Sequence, residues 1–267
     1  MLVLATAAAT ALFVWWFSTL AILFANGLPR RAGAWTAVAA TILLVGALAG
    51  LALTRDVATQ GGAYLAFGCA IAVWGWHELM FLTGRITGPR TIPAPPAAEG
   101  VDRFKAATAT VIYHEVALAL TLILVAVLTL GGANWVGLAT FATLWVMRLS
   151  AKLNVYLGVR NLSESFLPDH LAYLETYFRR QRMNALLPWS VAAAVAVAAA
   201  TLHGTWASED PFVVVGGTLT GTLLLLAVVE HLFMVAPFEA TALWRWGFAS
   251  RRMTSHGGLK RAADTLA

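Results

Sequence analysis

Residues 212–235 read FVVVGGTLTGTLLLLAVVEHLFMV. Phe212 to Val229 carry no charge, and at about 1.5 Å per residue such a run crosses a hydrocarbon core of about 30 Å as a helix. The run then meets Glu230 and His231. Ionisable groups inside a bilayer cost several kcal/mol unless the protein pairs them, so they mark a site or an internal contact. Two other apolar runs carry the same kind of doublet, His77-Glu78 and His114-Glu115.

Working outward, apolar segments of membrane length fall at about residues 5–25, 34–53, 62–83, 106–129, 134–151, 186–203 and 212–235. Of 267 residues, 60% are apolar and 12% charged, whereas soluble domains carry about 25% charged residues. An open sheet edge is not viable in lipid, and the runs are too long for barrel strands, so the spans are helices. The expected fold is all-α: a polytopic membrane bundle of seven transmembrane helices forming one domain over residues 1–267. The apolar run nearest the N-terminus has no basic region before it and is long enough to span, so it reads as a helix and not as a cleaved signal peptide.

Charge gives the orientation. Seventeen of the 18 Lys and Arg residues fall after spans one, three, five and seven, and the exception is Arg55 beside Asp56. The loop between spans six and seven holds only Glu209 and Asp210. The positive-inside rule then puts the N-terminus outside and the C-terminus in the cytoplasm. Basic loops on that side account for the net charge of +5, and no nucleic-acid module is present. The single cysteine, Cys69, excludes an intramolecular disulfide and a Cys-rich metal site.

Three stretches outside the spans stand apart. Residues 85–105 contain Pro89, Pro93, Pro95 and Pro96 and read as a stiff, extended cytoplasmic linker. The cytoplasmic loop 152–185 is expected to hold a short helix after Pro168, capped by Asp169, with Leu171, Leu174 and Phe178 on one face. That face suits the membrane surface or the underside of the bundle. The tail 236–267 is mixed, with Trp244 and Trp246 at interfacial depth.

Counting residues along the spans puts His77, His114, Glu230 and Arg148 in one layer of the cytoplasmic half. Adjacent helical residues stand about 100° apart, so both members of a doublet can border one cavity without making the same contact. Arg148, Lys152, Asn154 and His170 are expected at its rim. Four readings stay open. The carboxylates pair with Arg148 and Lys152 and the imidazoles bond to neighbouring helices. Or His77, Glu78, His114, Glu115, Glu230 and His231 hold a divalent metal such as iron or zinc, although the Glu-x-x-His spacing of carboxylate-bridged sites is missing. Or His77, His114 and His231 offer an axial nitrogen to a tetrapyrrole, haem or chlorophyll. Or the layer passes protons or ions, for which the outer half offers little beyond Asp56, Glu209 and Asp210. A serine hydrolase built on Ser150, Ser163 or Ser165 lacks a nucleophile-elbow spacing.

The segment Tyr113-His114-Glu115, the run from Trp145 through Arg148, Lys152, Asn154 and Tyr156, the stretch Asn161–Leu171 and the later Tyr173–Arg179 resemble photosynthetic complex assembly proteins of the PuhE type from purple bacteria. The resemblance covers essentially the whole chain. It implies a multi-pass protein of the bacterial inner, photosynthetic membrane. It implies a role in assembling the reaction-centre/light-harvesting complex, by binding or delivering bacteriochlorophyll, with reaction-centre or light-harvesting subunits, other assembly factors and membrane lipids as partners. It supplies no residue roles. The alternative is a membrane-embedded, metal-dependent enzyme that acts on a pigment precursor or a lipid through the His/Glu site.

Overall fold

The computed structural model describes residues 1–162 and 167–237. These form eight α-helices: α1 Leu2–Asn26, α2 Arg30–Leu53, α3 Gln60–Leu82, α4 Gly100–Thr108, α5 Ile112–Thr129, α6 Val136–Leu157, α7 Leu186–Trp206 and α8 Pro211–Phe233, with a 3-10 helix Asp169–Tyr177. All but α4 are long and apolar enough to cross a membrane. The all-α, seven-span reading therefore holds. The stretch 163–166, with Ser163, Ser165 and Glu164, and the tail from Phe238 on, with Trp244 and Trp246, lie outside the described residues.

Two helices make the centre. Along α3 and α8, 61% and 67% of the most apolar window is buried, against 11–22% in the other five spans. α3 packs on α1, α2, α5, α6 and α8, and α8 also packs on α1, α6 and α7. Small residues permit this closeness, as usual where lipid gives no hydrophobic drive for helix association. Gly217 of α8 lies so tightly against Thr205 of α7 that a Cβ would overlap the threonine side chain. Phe67, Phe141, Leu219 and Leu223 fill the middle.

Helix boundaries differ from the sequence expectation in two places, each with a cause. Span four was expected from residue 106, but α4 ends at Thr108 and α5 starts at Ile112. The intervening turn is held by Gly88, which abuts the backbone of Ala109 and Thr110, and by the Arg90 N–H donating to the Ala109 carbonyl. The His114 N–H, an orphan donor of the first turn of α5, is satisfied by the Thr87 carbonyl at 3.0 Å. Span five was expected to end near residue 151, yet α6 runs to Leu157. Arg148 and Lys152 look like the end of a span but have carboxylate partners on other helices.

Two asparagines tie the ends of the bundle. At one end Asn134 donates to the carbonyls of Val57 and Gly62 and accepts from the Val136 N–H. At the other end Asn184 donates to the carbonyls of Asn154 and Gly158 and accepts from the N–H groups of Leu186 and Leu187. One side chain thus closes the C-terminus of α6 and opens α7. Gly158 has φ +126°, a conformation that favours glycine.

A cap covers the end that carries the basic loops. The 3-10 helix buries Leu171, Leu174 and Tyr177, and Leu171 and Leu174 pack with Leu20, Leu23, Phe81 and Leu82. It folds under the bundle, one of the two expected placements. Asp169 is its first residue and makes no capping bond; Pro168 stands at the cap position. The Pro-rich linker is strapped to this helix and is no free spacer. Arg90 Nε donates to the Tyr177 hydroxyl at 2.6 Å, that hydroxyl donates to the Ile92 carbonyl, and the Ala94 N–H donates to Thr176.

Seven crossings with basic residues gathered at one end predict opposite sides for the termini. Membrane-impermeant thiol labelling should modify a cysteine placed at Asp210 from the periplasmic face and spare one placed at Arg182. Asn184→Ala removes four hydrogen bonds at a buried joint and should cost about 2 kcal/mol, read as a lower thermal midpoint in detergent. Trp189→Ala, at an exposed position of α7, should leave the midpoint near wild type.

Candidate functional site

The three doublets meet α6 on two faces, since Arg148 and Lys152 stand on one side of the helix and Ser150, about 200° round from Arg148, on the other. Arg148 Nη2 donates to Glu78 Oε2 of α3 at 3.2 Å. One turn on, Lys152 Nζ donates to Glu115 Oε1 of α5 at 2.5 Å, and the Trp145 indole N–H donates to Glu115 Oε2 at 3.3 Å. Between these two residues Ser150 meets His231 of α8 at 3.0 Å. The second nitrogen of His231 lies 2.8 Å from the Ala227 carbonyl. A carbonyl only accepts, so Nδ1 carries the proton, and in the neutral ring Nε2 accepts from the Ser150 hydroxyl. Asn154 continues the line, donating to the Ser150 carbonyl and to Ser190 of α7. α6 is therefore the spine to which α3, α5, α7 and α8 are each tied by a polar contact.

The doublets differ: Glu78 is buried with His77, Glu115 is half-buried and only Glu230 is exposed. His77, His114 and His231 are almost fully buried, whereas Glu230 is exposed. His77 Nε2 shares a hydrogen bond with Thr121 of α5 at 2.9 Å, and its ring stands on edge to Phe141 and Trp76. His114 lies with its ring centroid 4.7 Å from that of Phe81 and 6.4 Å from that of His77. Its Nε2 is 3.9 Å from Glu78 Oε1, too far for a hydrogen bond. Four buried polar atoms without a hydrogen-bond partner gather here: His77 Nδ1, both ring nitrogens of His114, and Glu78 Oε1.

The expected rim separates. Arg148 and Lys152 pair with the carboxylates of α3 and α5. Asn154 is fully buried and acts between helices. His170 is exposed, and its ring lies over Gly84 beyond the end of α3. The layer is also shallower than span counting suggested, because α5 starts two residues before His114. Glu78 and Glu230 lie about 27–29 Å along α3 and α8, at the edge of a hydrocarbon core of about 30 Å. Just beyond it the cap begins, where burial pushes the Tyr173 hydroxyl above the usual tyrosine range.

Several partners were not singled out in the sequence. Thr121 stands seven residues after His114, and Trp145 seven before Lys152. Both spacings bring residues to one helix face after two turns, and that periodicity was the available signal. Ser190 and Asn184 carried no comparable mark.

Chemically, the layer binds itself together. An axial bond to a tetrapyrrole or a metal needs a ring nitrogen with open space in front of it. Both His231 nitrogens are engaged, and the remaining nitrogens of His77 and His114 are enclosed. As packed, these imidazoles do not fit axial ligation. Among the described residues no three His, Cys, Asp or Glu side chains come together as a metal site. Glu78 and Glu115 meet cations instead. Removing one partner of a largely buried pair strands the other charge, at about 3 kcal/mol or more. Lys152→Met should therefore lower the thermal midpoint markedly in detergent, and Lys152→Met with Glu115→Gln should recover much of the loss. Equal damage from single and double variants would refute the pairing.

The comparisons with known proteins bear on this geometry. Residues 1–255 match the model of a family described as a protein of unknown function, DUF3623. The chain is 40% identical over 243 residues to an "uncharacterized 30.4 kDa protein in puhA 5'region" of Rhodobacter capsulatus, which covers 90% of this chain and 89% of that one. No solved structure matches. The gene neighbourhood of that relative agrees with the PuhE-type resemblance. Seven apolar helices and a relative in a photosynthetic bacterium place the protein in the inner membrane as a multi-pass protein. The chain belongs to the DUF3623 family of proteins of unknown function.

Proposed function

We propose that the protein assists assembly of the photosynthetic reaction-centre/light-harvesting complex. The observation that carries this reading is the relative from the puhA 5′ region, similar over nine-tenths of the chain. The architecture is compatible with it. The bundle is locked internally by ion pairs and asparagine caps. Its outer helices present broad apolar sides, with Phe13, Trp16 and Phe17 on α1 and Leu120, Ile123 and Val127 on α5 exposed. Such sides suit helices of reaction-centre or light-harvesting subunits. A narrower version has the protein bind or deliver bacteriochlorophyll. It requires His77, His114 or His231 to turn a ring nitrogen outward, away from the packing described above. The metal-dependent enzyme gains no support from the described side chains.

Deleting the gene in its photosynthetic host should lower assembled complex, read by near-infrared absorption of membranes, while pigment precursors still accumulate. Unchanged absorption would refute the assembly role. The optical spectrum of protein purified from pigmented cells separates the two versions. Pigment delivery requires a bound band that His77→Ala or His114→Ala abolishes. Subunit docking requires co-purifying subunits that survive both substitutions.

A further inference from the structure

Residues 100–112, which lead from the Pro-rich stretch into α5, read GVDRFKAATATVI. Helical residues turn by about 100° each, so Val101, Phe104, Lys105 and Thr108 share one side of α4 and Arg103 stands on the other. The Arg103 side is docked. Its Nη2 donates to the carbonyls of Tyr177 at 2.6 Å and Tyr156 at 3.4 Å, and its guanidinium lies over the Tyr156 ring. Phe104 meets the same ring edge-on, with centroids 5.7 Å apart. Tyr156 is the next-to-last residue of α6, so α4 is pinned at the level where the membrane helices end. On its outward side Val101 is 67% and Phe104 48% exposed, and Lys105 is exposed as well. The helix breaks between Thr108 and Ile112, and there the surface opens into a groove of about 300 Å³ lined by Phe104, Lys105, Thr108, Ala109 and Ile112. Val116, one turn after Ile112 on α5, is exposed and continues the apolar wall along the membrane helix. Among the described residues Lys105 makes no ion pair within 4.0 Å, although Asp102 stands one turn before it.

We propose that this groove binds an anionic phospholipid from the leaflet on the side of the basic loops. One acyl chain enters between Phe104 and Ile112 and runs on past Val116. The phosphate stays at the level of α4 and accepts from the Lys105 ammonium. Carbon thus meets carbon at the helix break, and charge meets charge one turn before it. A volume of about 300 Å³ is at the lower bound of ligand clefts and suits a chain. A transmembrane helix is about 10 Å across and would lie over the groove without entering it. A phosphate shielded by its own choline ammonium has less to offer a lone lysine than one with net charge, so an anionic headgroup fits better than a zwitterionic one. The site does not depend on the assembly reading.

The test uses the full chain, purified in mild detergent and offered equimolar phosphatidylglycerol and phosphatidylcholine. Native mass spectrometry reads the first lipid retained. Wild type should prefer phosphatidylglycerol by about fivefold, the weight of one surface lysine at an anionic lipid. Lys105→Gln should bring the ratio close to one. Arg182→Gln removes an exposed cation outside the groove and should leave the preference near wild type. Thr108→Trp fills the groove while keeping the lysine, and should lower retention of both lipids. Should the tryptophan unsettle the helix break, the two charge variants, both at exposed positions, still decide the question. Equal retention of both lipids by wild type would overturn the proposal. So would a preference that survives Lys105→Gln, an equal loss in Arg182→Gln, undiminished retention in a folded Thr108→Trp, or a co-purifying polypeptide in place of lipid.

Discussion

The ion pairs from α6 to its neighbours set the register of the bundle. Leucine against leucine differs little from leucine against lipid, so apolar packing alone lets membrane helices slide. A charge at the edge of the hydrocarbon has no such freedom. Arg148 and Lys152 are one turn apart on α6, and they reach Glu78 of α3 and Glu115 of α5. Sliding α6 by a turn would put one cation in the other's place and strand the remaining carboxylate, at several kcal/mol. The Ser150–His231 contact then fixes α8 at the same level. Small residues such as Gly217 let the helices approach, and the charges decide where they stop.

The cap extends this constraint beyond the membrane. Phe81 packs with Leu171 and Leu174 on one side and faces the His114 ring and the Lys152 ammonium on the other. The linker reaches the same place through the Thr87 carbonyl. Membrane helices, linker and 3-10 helix therefore meet around a few side chains. Arg103 adds a second tie, donating to the Tyr177 carbonyl and lying 4.2 Å from the centre of the Tyr156 ring. A displacement of the cap would disturb the packing above Lys152 before it disturbed any helix.

Seven spans were legible because length and apolarity suffice to find a membrane helix. What the sequence concealed was tertiary. Residues 106–111 are apolar enough to extend α5, and only contact with Gly88 and Arg90 shows that the chain turns there. Arg148 and Lys152 read as the end of a span because their partners are 70 and 37 residues away. The similar depth of the doublets was legible from residue counting along the spans. Their roles were not, because two neighbours on a helix point about 100° apart and hydrophobicity cannot say which points inward.

That ambiguity resolves in one direction. The three doublet histidines turn into the protein, and Glu230, the third of the doublet glutamates, turns out. A neutral imidazole carries one donor and one acceptor, so it can join two helices without leaving a charge in a dry place. A carboxylate cannot, and must have a cation or an opening. Glu78 and Glu115 have cations on α6, and Glu230 is exposed. The histidines therefore act as joints between helices. Arg148 and Glu230 are the only two of the layer's charges that remain accessible on more than a third of their surface among the described residues.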